Sequence, residues 1–165
     1  MDGKLIIFSA PSGAGKTSII KYLLDKISST EFSISATSRK PRKNEKNGID
    51  YHFISVNSFK KKIENNEFIE SEEVYENVFY GTLHSEIDRI WKNGKTVLLD
   101  MDVKGGLKIK SIFKKKALSI FVKPPSIKSL DNRLTKRALD TQKSIQERLK
   151  KSEFELDYAD KFDVI

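Results

Sequence analysis

Short apolar runs alternate with amphipathic stretches along this chain, and the alternation predicts a parallel sheet flanked by helices. Residues 5–8, 96–100 and 118–122 are apolar without alternation, as expected for strands that are buried on both faces of a parallel sheet. Residues 162–165 begin another such strand. The succession of these strands and the helices between them is typical of a doubly wound α/β fold.

The helices of this layout are marked by apolar stripes that begin at Ile19, Leu83, Ile127 and Ile145. Residues 138–144 are polar, uncapped and flanked by arginines. They predict a mobile loop that joins the last two helices.

Residues 32–80 do not continue this alternation of buried strands and amphipathic helices. Apolar and polar residues alternate around Ile34 and around His52, as they would in half-buried antiparallel strands. We therefore predict one α/β domain of 165 residues with an inserted β-rich subdomain.

The amino-acid composition excludes several classes of protein and of functional site. No apolar run approaches the roughly 20 residues that span a membrane, and the amino terminus does not resemble a signal peptide, so the cytoplasm is the expected location. The chain has no cysteine and only two histidines. Disulfides and thiol catalysis are excluded, and a bound metal should have oxygen ligands.

The net charge of +8 would suit either a nucleic acid or a small anionic substrate. The lysine clusters at 60–62 and 114–116 have no aromatic residues between them on which bases could stack. We therefore expect no nucleic-acid partner.

The segment 4–18, KLIIFSAPSGAGKTS, predicts a phosphate-binding loop between a strand and a helix. Gly13 and Gly15 lack a Cβ, so the backbone can adopt positive φ and direct successive N–H groups into one concavity. Lys16 adds a positive charge, Thr17 offers a hydroxyl to Mg²⁺, and the helix aims the positive end of its dipole at the same anion. A turn that binds nothing is the alternative, but strand, loop and helix together favour nucleotide phosphate.

Asp100 and two arginines could also serve phosphate chemistry. Asp100 emerges at the carboxyl edge of the sheet, where it could hold magnesium or cap the next helix. Arg39 and Arg42 flank Pro41, and an anion between them would offset their repulsion. Such a run is also common on basic surfaces.

Three further arginines surround the predicted loop. Arg133 and Arg137 lie one helical turn apart, and Arg148 can face them from the next helix. The set could neutralise a transferring phosphoryl group, although surface arginines on amphipathic helices have the same spacing.

Ordered motifs cover nearly the full chain. They are SAPSGAGKTS at 9–18, SATSRKPR at 35–42, NGIDYHF at 47–53, NEFIE at 66–70, FYGT at 79–82, LLDMDVKG at 98–105, and RLTKR with QERL within 133–149. Together they resemble the guanylate kinase family of nucleoside monophosphate kinases. The resemblance implies a P-loop NTPase-type sheet flanked by helices as the core (1–31, 83–132 and 149–165). It also implies a GMP-binding insert at about 32–82 and a helical lid at about 133–148.

The resemblance further implies Mg²⁺-dependent transfer of the ATP γ-phosphate to GMP, with dGMP as a further acceptor. The ATP-binding residues would be Ala10, Pro11, Ser12, Gly13, Ala14, Gly15, Lys16, Thr17 and Ser18. The catalytic residues would be Lys16, Arg39, Arg133, Arg137 and Arg148. The GMP phosphate would be held by Arg39, Arg42, Tyr51 and Tyr80, and the guanine would be read by Ser35, Glu70, Thr82 and Asp102. The metal ligands would be Thr17 and Asp100.

The chain departs from the family pattern at a few positions. Ala10 stands where the usual loop pattern has glycine, Lys104 where the family usually has Gln, and Ala138 where Gly commonly follows the lid arginine. The family also leads us to expect a helix after Ile165. Catalytically inactive relatives that bind peptides typically lose the phosphate loop, which is intact here, so the enzyme is the better interpretation. The sequence leaves monomer and homo-oligomer equally open.

Overall fold

The computed structural model describes residues 3–137 and 142–165. The strands are β1 Leu5–Ser9, β2 Thr30–Phe32, β3 Ala36–Thr37, β4 His52–Phe53, β5 Phe68–Tyr75, β6 Val78–Leu83, β7 Thr96–Met101 and β8 Ala117–Phe121. The helices are α1 Lys16–Lys26, α2 Val56–Glu64, α3 His84–Lys92, α4 Val103–Phe113, α5 Ile127–Arg137 and α6 Gln142–Leu156.

The first sheet has the strand order β2-β7-β1-β8, and its strands include the three apolar runs predicted from the sequence. β1 and β8 are parallel, with Leu5 opposite Ala117 and Ser9 opposite Phe121. Three successive residues of β7, from Val97 to Leu99, are fully buried. Burial on both faces explains why β1 and β7 show little polar alternation. In β8, at the end of the strand order, Leu118 is 42% exposed, so the predicted burial on both faces was wrong there. The predicted parallel α/β sheet flanked by helices is confirmed.

The strand predicted at 162–165 is only a single β-bridge. Val164 bridges to Ile120 in parallel, and its carbonyl accepts a hydrogen bond of 2.8 Å from the Phe121 N–H. Phe162 packs in a cluster with Phe121 and Val103. Phe162 is therefore a core residue, whereas Val164 and Ile165 are exposed, so the apolar run does not mark a buried strand.

The second sheet has the order β4-β3-β6-β5. It confirms the β-rich segment predicted within residues 32–80. β5 and β6 form an antiparallel hairpin. β3 and β4, however, are parallel, so the prediction of antiparallel strands around Ile34 and His52 was wrong for this pair. Alternation shows which side chains share a face, but it does not show in which direction the neighbouring strand runs.

Aromatic packing stabilises this second sheet. Phe59, on α2, is fully buried, and its ring stacks on Phe68 at 4.3 Å and on Phe79 at 5.4 Å between centroids. The helix begins after Ser55, whose hydroxyl accepts a hydrogen bond from the Ser58 N–H. The cap and the stacked rings hold α2 against the hairpin.

Part of the segment predicted as a loop at 138–144 is helical. Residues 142–144 form the first turn of α6, so the prediction was wrong there. Residues 138–141, including Ala138, lie outside the described residues. A polar sequence with good helix formers does not distinguish a loop from an exposed first helical turn.

The chain divides into two compact units. One comprises residues 29–97 with the segment just before β1, and the other comprises the described residues of 5–28 and 98–165. The finer division into core, insert and lid stays a prediction. None of the helices in the described part of the chain is long and apolar enough to cross a membrane.

Helix α4 approaches β1 closely at Gly106. A Cβ on Gly106 would lie 2.5 Å from the Ser9 hydroxyl oxygen and 3.2 Å from Cγ2 of Ile7. Ser9 is fully buried, and its hydroxyl donates to the Asp102 carbonyl. The missing side chain therefore lets the helix lie directly on the strand that leads into the phosphate loop.

We predict that Gly106→Ala destabilises the protein by about 1–2 kcal/mol in urea unfolding, because overpacking at about 1–3 kcal/mol outweighs a helix-propensity gain of at most about 1 kcal/mol. Lys108→Ala, at an exposed position of the same helix, is the control and should change stability by less than about 0.5 kcal/mol. Equal or higher stability of Gly106→Ala would contradict the close approach.

Candidate active site

The loop between β1 and α1 has the backbone that a phosphate cradle requires. Gly13 and Gly15 have φ of 88° and 102°, as their lack of a Cβ allowed us to predict. A Cβ on Gly13 would lie 3.3 Å from the Leu134 side chain, so the loop rests directly on α5. Ala10 and Ala14 are buried in a cluster with Leu130 of α5. Helix α5 therefore packs directly against the loop and supports it.

A pocket of about 280 Å³ opens at this loop. Its lining consists of all nine predicted ATP-binding residues from Ala10 to Ser18, together with Asp100, Asp102 and Glu155. The amino-terminal end of α1 also faces the pocket, because the helix begins at Lys16. Backbone N–H groups, a helix terminus and a lysine therefore converge on one anion-binding concavity.

Lys16 and Asp100 are partners within this pocket. The Lys16 ammonium forms an ion pair with the Asp100 carboxylate and donates to the Met101 carbonyl at 3.1 Å. The two side chains are 17% and 26% exposed, so they are accessible to a ligand. Because Asp100 lies near the end of β7, the pair ties the start of α1 to the edge of the sheet.

Thr17 and Asp102 occupy different parts of the same pocket. Thr17 is exposed in the first turn of α1. Asp102 caps α4, since its carboxylate accepts a hydrogen bond of 2.7 Å from the Gly105 N–H. From the sequence we expected Asp102 to read guanine and considered capping only for Asp100, so this contact was not predicted.

Two of the three lid arginines contact the loop. The Arg133 guanidinium donates to the Ala14 carbonyl at 2.9 Å, and the Arg148 guanidinium donates to the Ser12 hydroxyl at 2.9 Å. The Arg137 side chain lies outside the described part of the chain. Arg133 and Arg148 therefore lie at the same loop, and their role toward a phosphate stays a prediction.

A second group of predicted residues surrounds Arg39 in the other unit. The Arg39 Nε donates to the Tyr80 hydroxyl at 2.8 Å, and the guanidinium lies over the Tyr51 ring at 4.9 Å. The two tyrosine rings meet edge to face at 5.9 Å. Arg42 is exposed nearby in sequence. A cation and a phenol hydroxyl are thus held together, as phosphate binding requires.

A buried polar pair lies on the β5–β6 hairpin. Glu70 pairs with Thr82 across the strands, and the Thr82 hydroxyl donates to the Glu70 carboxylate at 2.8 Å. Thr82 is fully buried and Glu70 is 9% exposed. Ser35 is half-buried just before β3. A carboxylate so shielded can discriminate sharply between hydrogen-bond donors, because a mismatched group would lose its solvent partners.

The sequence of this chain is similar to the sequences of known proteins. The family model described as "Guanylate kinase" matches residues 2–165. The guanylate kinase of Bacteroides thetaiotaomicron is 51% identical over 163 residues, which cover 99% of this chain and 80% of that protein. The guanylate kinase of Porphyromonas gingivalis is 51% identical over 98% of this chain and 86% of that protein.

The chain belongs to the guanylate kinase family. The crystal structure of guanylate kinase from Anaplasma phagocytophilum matches with a TM-score of 0.77 at 31% identity, covering 99% of this chain and 76% of that one. Family membership accounts for the coexistence of a phosphate loop and the hairpin with Glu70 in one chain.

Glu155 of this guanylate kinase family member was not among the residues predicted from the sequence. This residue of α6 is 5% exposed, lines the phosphate pocket and lies seven residues after Arg148. Burial raises the pKa of the Glu155 carboxyl, and the nearby Asp102 raises it further. Helical spacing from Arg148 is the signal that could have placed it on the same face.

Glu45 was also missed. Its carboxylate binds both terminal nitrogens of Arg39, with Oε2 at 2.6 Å from Nη1 and Oε1 at 2.7 Å from Nη2. The hydrogen bonds from Arg39 lower the pKa of Glu45 to about 2, with a smaller contribution from the Arg42 N–H. The only signal in the sequence was an acidic residue close to two arginines.

The lowered pKa of Glu45 predicts a pH-dependent contribution to folding stability. A carboxylate whose pKa falls from 4.5 to about 2 on folding stabilises the protein above the unfolded value, and this stabilisation is lost as the pH falls from 4.5 toward 2. The difference in unfolding free energy between wild type and Glu45→Gln, measured in urea, should be largest near pH 7 and should shrink below about pH 4.5. Glu64→Gln, at the exposed end of α2, controls for removal of one charge. A difference that is constant from pH 7 to 3 would contradict the ion pair.

Proposed function

We propose that this protein is a guanylate kinase that transfers the γ-phosphate of ATP to GMP with Mg²⁺, giving ADP and GDP. The observation that carries the proposal is the buried Glu70–Thr82 pair in a chain that also has a complete phosphate loop. The loop alone would suit many nucleotide-binding proteins. A shielded carboxylate that can accept hydrogen bonds from guanine N1–H and its 2-amino group makes the acceptor specific, since adenine offers no donor at N1.

On the donor side, the loop would hold the ATP phosphates. Lys16 would contact the β- and γ-phosphates, and Arg133, Arg137 and Arg148 would neutralise the charge that develops on the transferred group. Arg133 and Arg148 already contact the loop, so little side-chain ordering remains to be done when ATP binds. Their charges would act in the transition state, where negative charge is spread over the phosphoryl oxygens.

The oxygen atoms at the loop fit Mg²⁺. A Thr17 hydroxyl and an Asp100 carboxylate line one pocket, and oxygen is the ligand that Mg²⁺ prefers. Within the described ranges, no group of three or more acidic or histidine side chains is placed to hold a metal. Thr17 and Asp100 would thus share the ion with phosphate oxygens, as is usual for kinases. When bound, Mg²⁺ would neutralise phosphate charge.

On the acceptor side, Arg39, Arg42, Tyr51 and Tyr80 would bind the GMP phosphate. Ser35, Glu70, Thr82 and Asp102 would read the base. Phosphoryl transfer between two bound nucleotides depends mostly on positioning and charge neutralisation, so no general base is required. We expect dGMP to serve as an acceptor too, and we expect the enzyme to act in the cytoplasm, where it meets both substrates.

A coupled assay of ADP formation tests the proposal. ATP and Mg²⁺ with GMP should give rapid ADP formation, whereas AMP as acceptor or no acceptor should give little. Absence of GMP-dependent turnover in folded wild-type protein would contradict the proposal and favour a non-catalytic binding module.

We predict that Lys16→Met abolishes turnover but leaves the fold intact. The ammonium lies in an accessible pocket and its charge is needed where the β- and γ-phosphates meet. Activity should fall to less than a few per cent of the wild-type kcat, with an unchanged circular dichroism spectrum. Lys21→Met, at an exposed position of α1, is the matched control and should keep full activity. Retention of substantial kcat by Lys16→Met would remove Lys16 from the mechanism.

We predict that Glu70→Gln changes the choice of base. One acceptor oxygen becomes an NH₂ donor that faces a guanine donor, and this mismatch should cost roughly 2–4 kcal/mol in kcat/KM for GMP, or about 30- to 1000-fold. AMP, a poor acceptor from the start, should lose far less. The ratio of kcat/KM values for GMP and AMP is the measurement, and Glu76→Gln in the hairpin turn is the control. An unchanged ratio would show that Glu70 does not read the base.

A further inference from the structure

We propose that Glu45 is a positioning residue that sets both arginines of the GMP-phosphate site in place. The inference deepens the proposed function and rests on it. Neither the phosphate loop nor the base-reading pair involves this carboxylate, which lies between β3 and β4.

The contacts of Arg39 define its orientation completely. Glu45 accepts from both terminal nitrogens, the Lys40 carbonyl accepts from Nη1 at 3.0 Å, and the Tyr80 hydroxyl accepts from Nε. The aromatic rings of Tyr51 and Phe53 lie 4.9 Å and 5.5 Å from the guanidinium carbon. A long side chain that would otherwise sample many rotamers is therefore held in one of them.

These contacts use four of the five N–H groups that a guanidinium carries. The fifth, on Nη2, points along the same edge as Nε–H, because the guanidinium is planar and its donors form a fixed fork. The Tyr80 hydroxyl accepts from Nε, so its own proton is directed away from Arg39. The remaining N–H of Arg39 therefore lies on the same edge of the guanidinium as the Tyr80 hydroxyl, and both groups could donate to a phosphate oxygen.

The same carboxylate also fixes the backbone at Arg42. The Arg42 N–H donates to Glu45 Oε2 at 2.8 Å, and the Glu45 N–H donates to the Arg42 carbonyl at 3.0 Å. These reciprocal bonds close a tight turn just after Pro41, whose ring already restricts the chain. One side chain therefore joins the guanidinium of Arg39 to the backbone from which the Arg42 side chain projects.

A carboxylate beside a phosphate site could instead act as a competitor that occupies the arginine. The two roles predict opposite effects of removing the charge. A competitor would leave GMP bound more tightly in Glu45→Gln, because Arg39 would gain two N–H groups for phosphate. A positioning residue would leave GMP bound more weakly, because the amide cannot accept from both N–H groups of Arg39 and would hold the Arg39 guanidinium and the turn at Arg42 less firmly. Glu45 occupies the edge formed by the two terminal nitrogens and leaves the Nε–Tyr80 edge to other contacts, which favours positioning.

Calorimetric titration of GMP, guanosine and ATP into Glu45→Gln tests the inference. We expect the Kd for GMP to rise at least tenfold, with the Kd values for guanosine and ATP unchanged, because only GMP uses the arginines. Glu64→Gln, which removes one exposed carboxylate from α2, should bind all three ligands like wild type. A loss of guanosine affinity equal to that of GMP would indicate a merely structural role and overturn the inference, as would an unchanged or lower Kd for GMP.

Glu45→Asp provides a second variant should Glu45→Gln fold poorly. It keeps the charge but is one methylene shorter, so it should not reach Arg39 and the Arg42 N–H together. We expect a weaker loss of GMP affinity in the same direction, again without an effect on guanosine. Wild-type protein that fails to bind GMP would overturn the proposed function and this inference together, whereas equal GMP binding by wild type and both variants would overturn the inference alone.

Discussion

Positively charged side chains that will bind phosphate repel one another, and a fold must hold them in place before any phosphate arrives. In the described part of the chain, four candidate groups of this kind are each held by an oxygen of the protein itself. The pairs are Lys16 with Asp100, Arg39 with Glu45, Arg133 with the Ala14 carbonyl, and Arg148 with the Ser12 hydroxyl. The cations are therefore ordered in advance, which lowers the entropy that substrate binding and transfer must overcome.

The scaffold supplies these pairs through strand ends and tight turns. Asp100 lies at the carboxyl end of β7, and Lys16 follows the loop after β1. Both residues line the phosphate-loop pocket. In the other unit, the register of the β5–β6 hairpin places Glu70 opposite Thr82, so a buried carboxylate has a hydroxyl partner. A buried charge without such a partner would be costly, so the hairpin register keeps the Glu70 carboxylate paired.

A site residue could be predicted from the sequence when the structure around it depends on one short segment of the chain. The phosphate loop was predictable because Gly13, Gly15 and Lys16 act through the backbone of one short segment. Glu70 came from the family resemblance, since its partner Thr82 lies on another strand. Glu45 was missed because an acidic residue in a polar turn has the same pattern as ordinary surface, and its bond to Arg39 exists only once the turn has closed.

We expect these ordered cations to direct the phosphoryl group from ATP to GMP and not to water. Phosphorus NMR of the wild-type protein with ATP, GMP and Mg²⁺ follows every phosphate at once and tests it most directly. The account predicts that ADP and GDP appear in equal amounts as ATP and GMP disappear, with no matching orthophosphate. Orthophosphate that accumulates with ADP while GMP remains unchanged would contradict it.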